Sequence, residues 1–112
     1  MSTAPPLTLT REQASRLQAY LQTYRRYAFA AFLPGADRNT TLRVLQMMQG
    51  KLIDAIDQKI VPFRLILTTE EMITLKAITA ELLLLYTQEP ASEERNAILA
   101  DLAALKASLK NY

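Results

Sequence analysis

The chain has no cysteine, no histidine and no tryptophan among its 112 residues, and only two glycines. Without cysteine there is no disulfide, no thiolate zinc site and no thiol nucleophile. Without histidine the commonest metal ligand is missing, and with it every dyad or triad built on imidazole. The Glu-x-x-His motif that holds paired metals in helical bundles has no second half here. Gly35 and Gly50 are too few for a phosphate-cradling loop or a dinucleotide fingerprint. Asp54 and Asp57 fall three apart off any apolar seam, where nothing would raise a pKa for acid–base work. The expectation is a protein without catalysis, metal or cofactor.

Long apolar runs are missing too. The densest, at 82–85, is far short of the ~20 residues that cross a bilayer, and Lys76 and Glu81 flank it. Met1-Ser2-Thr3-Ala4-Pro5-Pro6 lacks the basic-then-apolar pattern of a signal peptide. Residues 1–6 read instead as a disordered leader, with nothing to bury. A cytoplasmic protein is expected, with no membrane partner. The net charge of +2 is too small to argue for nucleic acid by itself. Its distribution is uneven, because most arginines precede residue 60 while Glu70, Glu71, Glu81, Glu89, Glu93, Glu94 and Asp101 follow it.

What the chain does contain, it contains twice. Leu7-Thr8-Leu9-Thr10-Arg11-Glu12 opens a helical pattern, Pro34 interrupts it, and Arg38-Asn39 restarts it through Leu42, Leu45, Met48 and Leu52. About 58 positions later the order returns. Leu65-Ile66-Leu67-Thr68-Thr69-Glu70 leads in, Pro90 interrupts, and Arg95-Asn96 restarts through Leu99, Leu102 and Leu109. Thr10 with Gln13 and Thr68 with Glu71 have the spacing of capping boxes, with Leu9/Ala14 and Leu67/Met72 as staples. Ser92 is the expected cap of the fourth helix, and Gly35 the expected left-handed stop after the first.

Seam positions recur at three and four. They are Ala14, Leu17, Leu21, Tyr24, Ala28 and Ala31, then Leu42, Leu45, Gln49, Leu52 and Ile56, then Met72, Leu75, Thr79, Leu82 and Tyr86, then Ile98, Leu102, Leu105, Leu109 and Tyr112. These spacings predict an all-α protein, a four-helix up-down-up-down bundle built from two duplicated helical hairpins joined by an extended apolar linker. It is expected as one domain over residues 7–112, with repeats at 7–61 and 68–112 and the linker at 62–67. The linker has the composition of a short strand, but no second strand is evident to pair with it.

Where the halves differ, a role beyond the shared fold is sought. The third helix carries a second apolar seam, Ile73, Ala77, Ala80 and Leu84, opposite its core stripe. The corresponding positions of the first helix are Ser15, Ala19, Gln22 and Arg26, an ordinary solvated face. Three covers are open: the linker, a second copy making a homodimer, or another protein partner. The leading expectation is a non-enzymatic interaction protein using this face.

A second divergence is Tyr24-Arg25-Arg26-Tyr27. Together with Arg16, Arg38 and Arg43 it suggests the alternative of a small subunit of a nucleoprotein assembly, its arginines on phosphates. Against this stands a solvated face with snorkelling arginines. The repeated pairs Arg38-Asn39 and Arg95-Asn96, expected side by side, are either an anion site or turn locks, each Arg on a carboxylate such as Asp37 or Glu94 and each Asn on turn backbone.

Overall fold

The computed structural model describes residues 7–57 and 63–110. Six elements follow in order: β1 (Leu7–Leu9), α1 (Arg11–Ala31), α2 (Ala36–Asp57), β2 (Phe63–Leu65), α3 (Thr69–Thr87) and α4 (Glu93–Leu109). Four helices make this an all-α protein in its mass, with a small two-stranded ribbon added. The chain divides into two compact units, the first ending at Met72 and the second beginning at Ile73. The leader 1–6, the helix stop at Pro62, and Tyr112 lie outside the described residues.

In the first unit, both long helices that follow a strand begin the same way. The Thr10 hydroxyl accepts from Gln13 N at 3.1 Å, and the Gln13 side chain accepts from Thr10 N at 2.9 Å. At α3 the Thr68 hydroxyl accepts from Glu71 N at 3.1 Å, and Glu71 accepts from Thr68 N at 2.8 Å. Each box satisfies two amide donors that a helix N-terminus otherwise leaves orphaned. The staple residues Leu9, Ala14, Leu67 and Met72 are all buried.

The residues expected to be an unpaired linker are half of a ribbon. β1 and β2 pair antiparallel, with Leu7 opposite Leu65, Thr8 opposite Arg64 and Leu9 opposite Phe63. The partner strand is Leu7–Leu9, which directly precedes the Thr10 cap of the first helix. Alternation does the rest: Leu7 and Leu9 face inward and Thr8 outward, and Leu65 and Leu67 face inward with Ile66 outward. The ribbon therefore belongs to the first unit.

α1 packs on α2 through Leu17, Tyr20, Leu21 and Tyr24 on one side and Val44, Leu45, Met48 and Leu52 on the other, all buried. Gln49, also buried, donates to Gln22 across the pair at 3.0 Å. The buried face of α2 is turned from the expected seam, since Val44 is covered along with Met48 of the expected pattern while Leu42 and Ile56 are half-exposed. At the end of α1, Tyr24, Tyr27 and Phe32 form a three-ring cluster with centroids 5.6 to 6.5 Å apart. Ala31 is exposed, and the helix stops at Phe32, whose N–H donates to Ala28 O from an extended backbone. Gly35 does not take the expected left-handed conformation; its carbonyl receives Asn39 N inside the start of α2.

In the second unit, Ile78, Thr79 and Leu82 of α3 and Leu102 and Leu109 of α4 are buried. Ser92 caps α4, its hydroxyl accepting from Arg95 N at 3.0 Å, with Glu93 and Glu94 in the first turn where the helix dipole favours acids.

Candidate functional site

The outer face of α3 is open along three turns. Met72, Leu75, Ile78, Thr79 and Leu82 occupy the buried side of the helix. At 100° per residue, Ile73, Ala77, Ala80 and Leu84 fall on the opposite side. All four are exposed, Ile73 at 64% and Leu84 at 61%. Residues 63–67 are engaged within the first unit, where their inward leucines are buried and Phe63–Leu65 is hydrogen-bonded to β1. Half-buried Lys76 and Glu81 flank the stripe on its two sides.

The arginine candidates separate. Arg16 pairs with Glu12 at 3.1 Å, and Arg43 pairs with Glu70 at 3.1 Å. Arg25 and Arg26 stay exposed and, with Gln22 and Phe29, line a shallow cavity of about 280 Å³. Arg38 lies 4.7 Å from the centroid of the Phe29 ring, which is itself 63% exposed. Arg25 and Arg26 thus border a cavity with Phe29 while Arg38 stacks on that ring, and Arg16 and Arg43 are committed to carboxylates.

The Arg-Asn pairs act on backbone, and the carboxylate pairing expected for them is replaced. Arg38 donates to Phe29 O at 3.3 Å, and Arg95 to Glu89 O at 2.9 Å. Phe29 O lies in the last turn of α1, where helix geometry leaves acceptors unpaired, and Glu89 O lies in the turn just past α3. Asn96 accepts from Arg95, at 3.3 Å from Nε and 3.0 Å from Nη2, so it orients the arginine and not the turn backbone. Asn39 makes no side-chain hydrogen bond among the described residues. The two turns lie in different units, and each stands by its own contacts.

Sequence reasoning missed one charged pair altogether. Glu71, the capping residue of α3, is 1% exposed, and its Oε1 accepts from Lys51 of α2 as well as from Thr68 N. Lys51 also donates to Ile66 O at 3.0 Å, so one ammonium ties the middle of α2 to the approach to α3. Burial pushes the Glu71 carboxyl up, but the Lys51 and Thr68 hydrogen bonds and the Lys51 charge outweigh it and hold it below the ordinary carboxylate value. Its Oε2 is buried and has no partner among the described residues. Only the capping spacing around Glu71 was visible in the sequence; Lys51 carried no signal.

A cavity of about 230 Å³ in the second unit is lined by Lys76, Thr79, Lys106, Leu109 and Lys110. Among the described residues no cluster of three or more acids is placed to hold a metal, and no helix is long and apolar enough to cross a membrane. No protein-family model, curated protein or solved structure matches this chain.

Proposed function

We propose that this chain is a non-enzymatic interaction protein that docks a second copy or another protein on the outer face of α3. The observation that carries the reading is the exposure of Ile73 and Leu84 on a helix whose other side is already buried. An apolar stripe left open on a helix satisfied elsewhere is the pattern of an association surface. Alanines at 77 and 80 allow a partner backbone to approach closely between the two larger side chains. The test is light scattering on a sizing column over a range of concentrations, with Leu84→Glu beside the unmodified chain. The variant should stay folded and lose association; a variant that unfolds would assign Leu84 to the core and remove the docking face.

We infer also that the scaffold is a duplicated hairpin, arranged up-down-up-down. Both capping boxes, both pairs of inward leucines and the buried sets Leu17, Tyr20, Leu21, Tyr24 and Leu75, Ile78, Thr79, Leu82 recur at one displacement. The ribbon supports this in a second way: the residue opposite Leu7 is its own counterpart, Leu65. Antiparallel pairing of two copies of one segment about a local two-fold axis produces that register.

The basic-face alternative is favoured by one observation, the exposed Phe29 ring that carries Arg38 and borders the same cavity as Arg25 and Arg26. A base stacked on the ring with phosphates on the guanidinium groups would use it. Affinity for a short single-stranded oligonucleotide that falls steeply with salt supports that reading. No salt-sensitive binding at low ionic strength removes it.

A further inference from the structure

Building on the docking face proposed above, we infer that its occupant is a second copy of this chain, with the two α3 helices parallel. The spacing of the stripe is four, three, four, which places Ile73 and Ala80 at one seam position of a heptad and Ala77 and Leu84 at the other. Such a seam is compatible with a like helix in either direction. The flanks choose between them. Lys76 and Glu81 sit on opposite sides of the stripe, five residues apart. In a parallel pair, a residue on the first flank meets the residue five positions on in the partner helix, so Lys76 faces Glu81 of the second copy and Glu81 faces its Lys76. In an antiparallel pair the same flanks run together, lysine beside lysine and glutamate beside glutamate.

Two further features bear on the parallel arrangement. Glu70, the preceding seam position, would meet its own counterpart, and the Arg43 pairing at 3.1 Å offsets that repulsion. Lys76 and Glu81 each already interact within the chain. The new bridges are therefore shared contacts at a rim, which set orientation more than strength. The stripe from Ile73 to Leu84 is only about 16 Å long. It buries less than the ~1,200–2,000 Å² of a stable dimer. The dimer is accordingly weak and concentration-dependent.

The absence of cysteine makes the test clean. Ile73→Cys and Leu84→Cys, made separately at exposed positions and oxidised under dilute conditions, should each self-link, because a parallel pair brings each residue within disulfide reach of its own counterpart. A mixture of the two variants that instead links 73 to 84 means antiparallel pairing and overturns the inference. Lys76→Glu should weaken the dimer roughly 5-fold through the loss of two rim bridges, and adding Glu81→Lys should restore it. Circular dichroism run beside each variant checks that the fold is unchanged. A chain still monomeric at roughly 1 mM overturns the second copy as occupant while leaving the docking face for another partner. A dimer untouched by Leu84→Glu overturns both.

Discussion

Lys51 and Glu71 form a pair whose two ends are unequally buried, and that inequality sets the cost of breaking it from either side. Glu71 is 1% exposed, whereas the Lys51 side chain keeps 36% of its surface. Glu71→Gln removes the charge but keeps the cap, because a glutamine already does that work at Thr10 in the first helix. The ammonium left behind still has Ile66 O and water. The loss should be about 1.5 kcal/mol, the lower range for a hydrogen bond to a charged group. Lys51→Met strands a carboxylate with no comparable access to water. Its cost should be about 3 kcal/mol, at the low end for removing one partner of a buried pair because Glu71 can take up a proton. The double variant should fall short of the sum by about 1–3 kcal/mol.

The pH dependence carries its own sign. Glu71 titrates in the folded protein below its ordinary value of 4.5. Its contribution to stability is therefore present above the unfolded pKa and disappears as pH falls through the folded one. In Lys51→Met the Lys51 hydrogen bond and charge are gone while burial and the Thr68 hydrogen bonds remain, so Glu71 takes up a proton more readily than in the unmodified chain and acid relieves the variant relative to it. Urea denaturation of all four proteins between pH 7 and pH 4 measures both effects, and the gap between the unmodified chain and Lys51→Met should narrow on acidification. A Lys51→Met cost no larger than that of Glu71→Gln, or strictly additive costs, would refute the burial reasoning.

Thr10→Ala should cost about 1 kcal/mol through the lost cap, read as a lower denaturation midpoint with an unchanged slope; no change would mean that the box is not formed in solution. Arg95→Ala should cost about 0.5–1 kcal/mol by releasing Glu89 O. Asn39→Ala, whose side chain bonds nothing among the described residues, should stay within about 0.5 kcal/mol. A thermal melt that ranks these two the other way would restore asparagine as the turn lock. Leu84→Glu should leave the melting transition nearly unmoved, since the side chain it replaces is 61% exposed.

The features legible from residue order are those closed within a turn of chain. Thr10 with Gln13, Thr68 with Glu71 and Ser92 with the amide of Arg95 each span three residues, so type and spacing suffice to find them. The existence of four helices, most of the α1 seam and the open stripe of α3 follow from periodicity for the same reason. Where the buried face depends on what lies across from it, periodicity is weaker. On α2 the composition around Leu42 to Leu52 allows two neighbouring stripes, and packing against α1 selects the one with Val44 and Met48.

Tertiary structure alone decided the ribbon, the Lys51–Glu71 pair and the Arg43–Glu70 pair. A three-residue strand has no period to read, and β2 finds its partner only because folding returns the chain to Leu7–Leu9. Lys51 is an ordinary helix-surface lysine until α2 is laid beside the approach to α3, when an ion pair separated by twenty residues becomes possible. Arg43 is likewise indistinguishable in sequence from Arg25 and Arg26 until Glu70 is brought beside it, whereas Arg16 pairs with Glu12 one turn away on its own helix. Interactions closed within a turn are carried by the local chain in any context, whereas those between distant segments exist only after chain entropy has been overcome by the packing that brings them together.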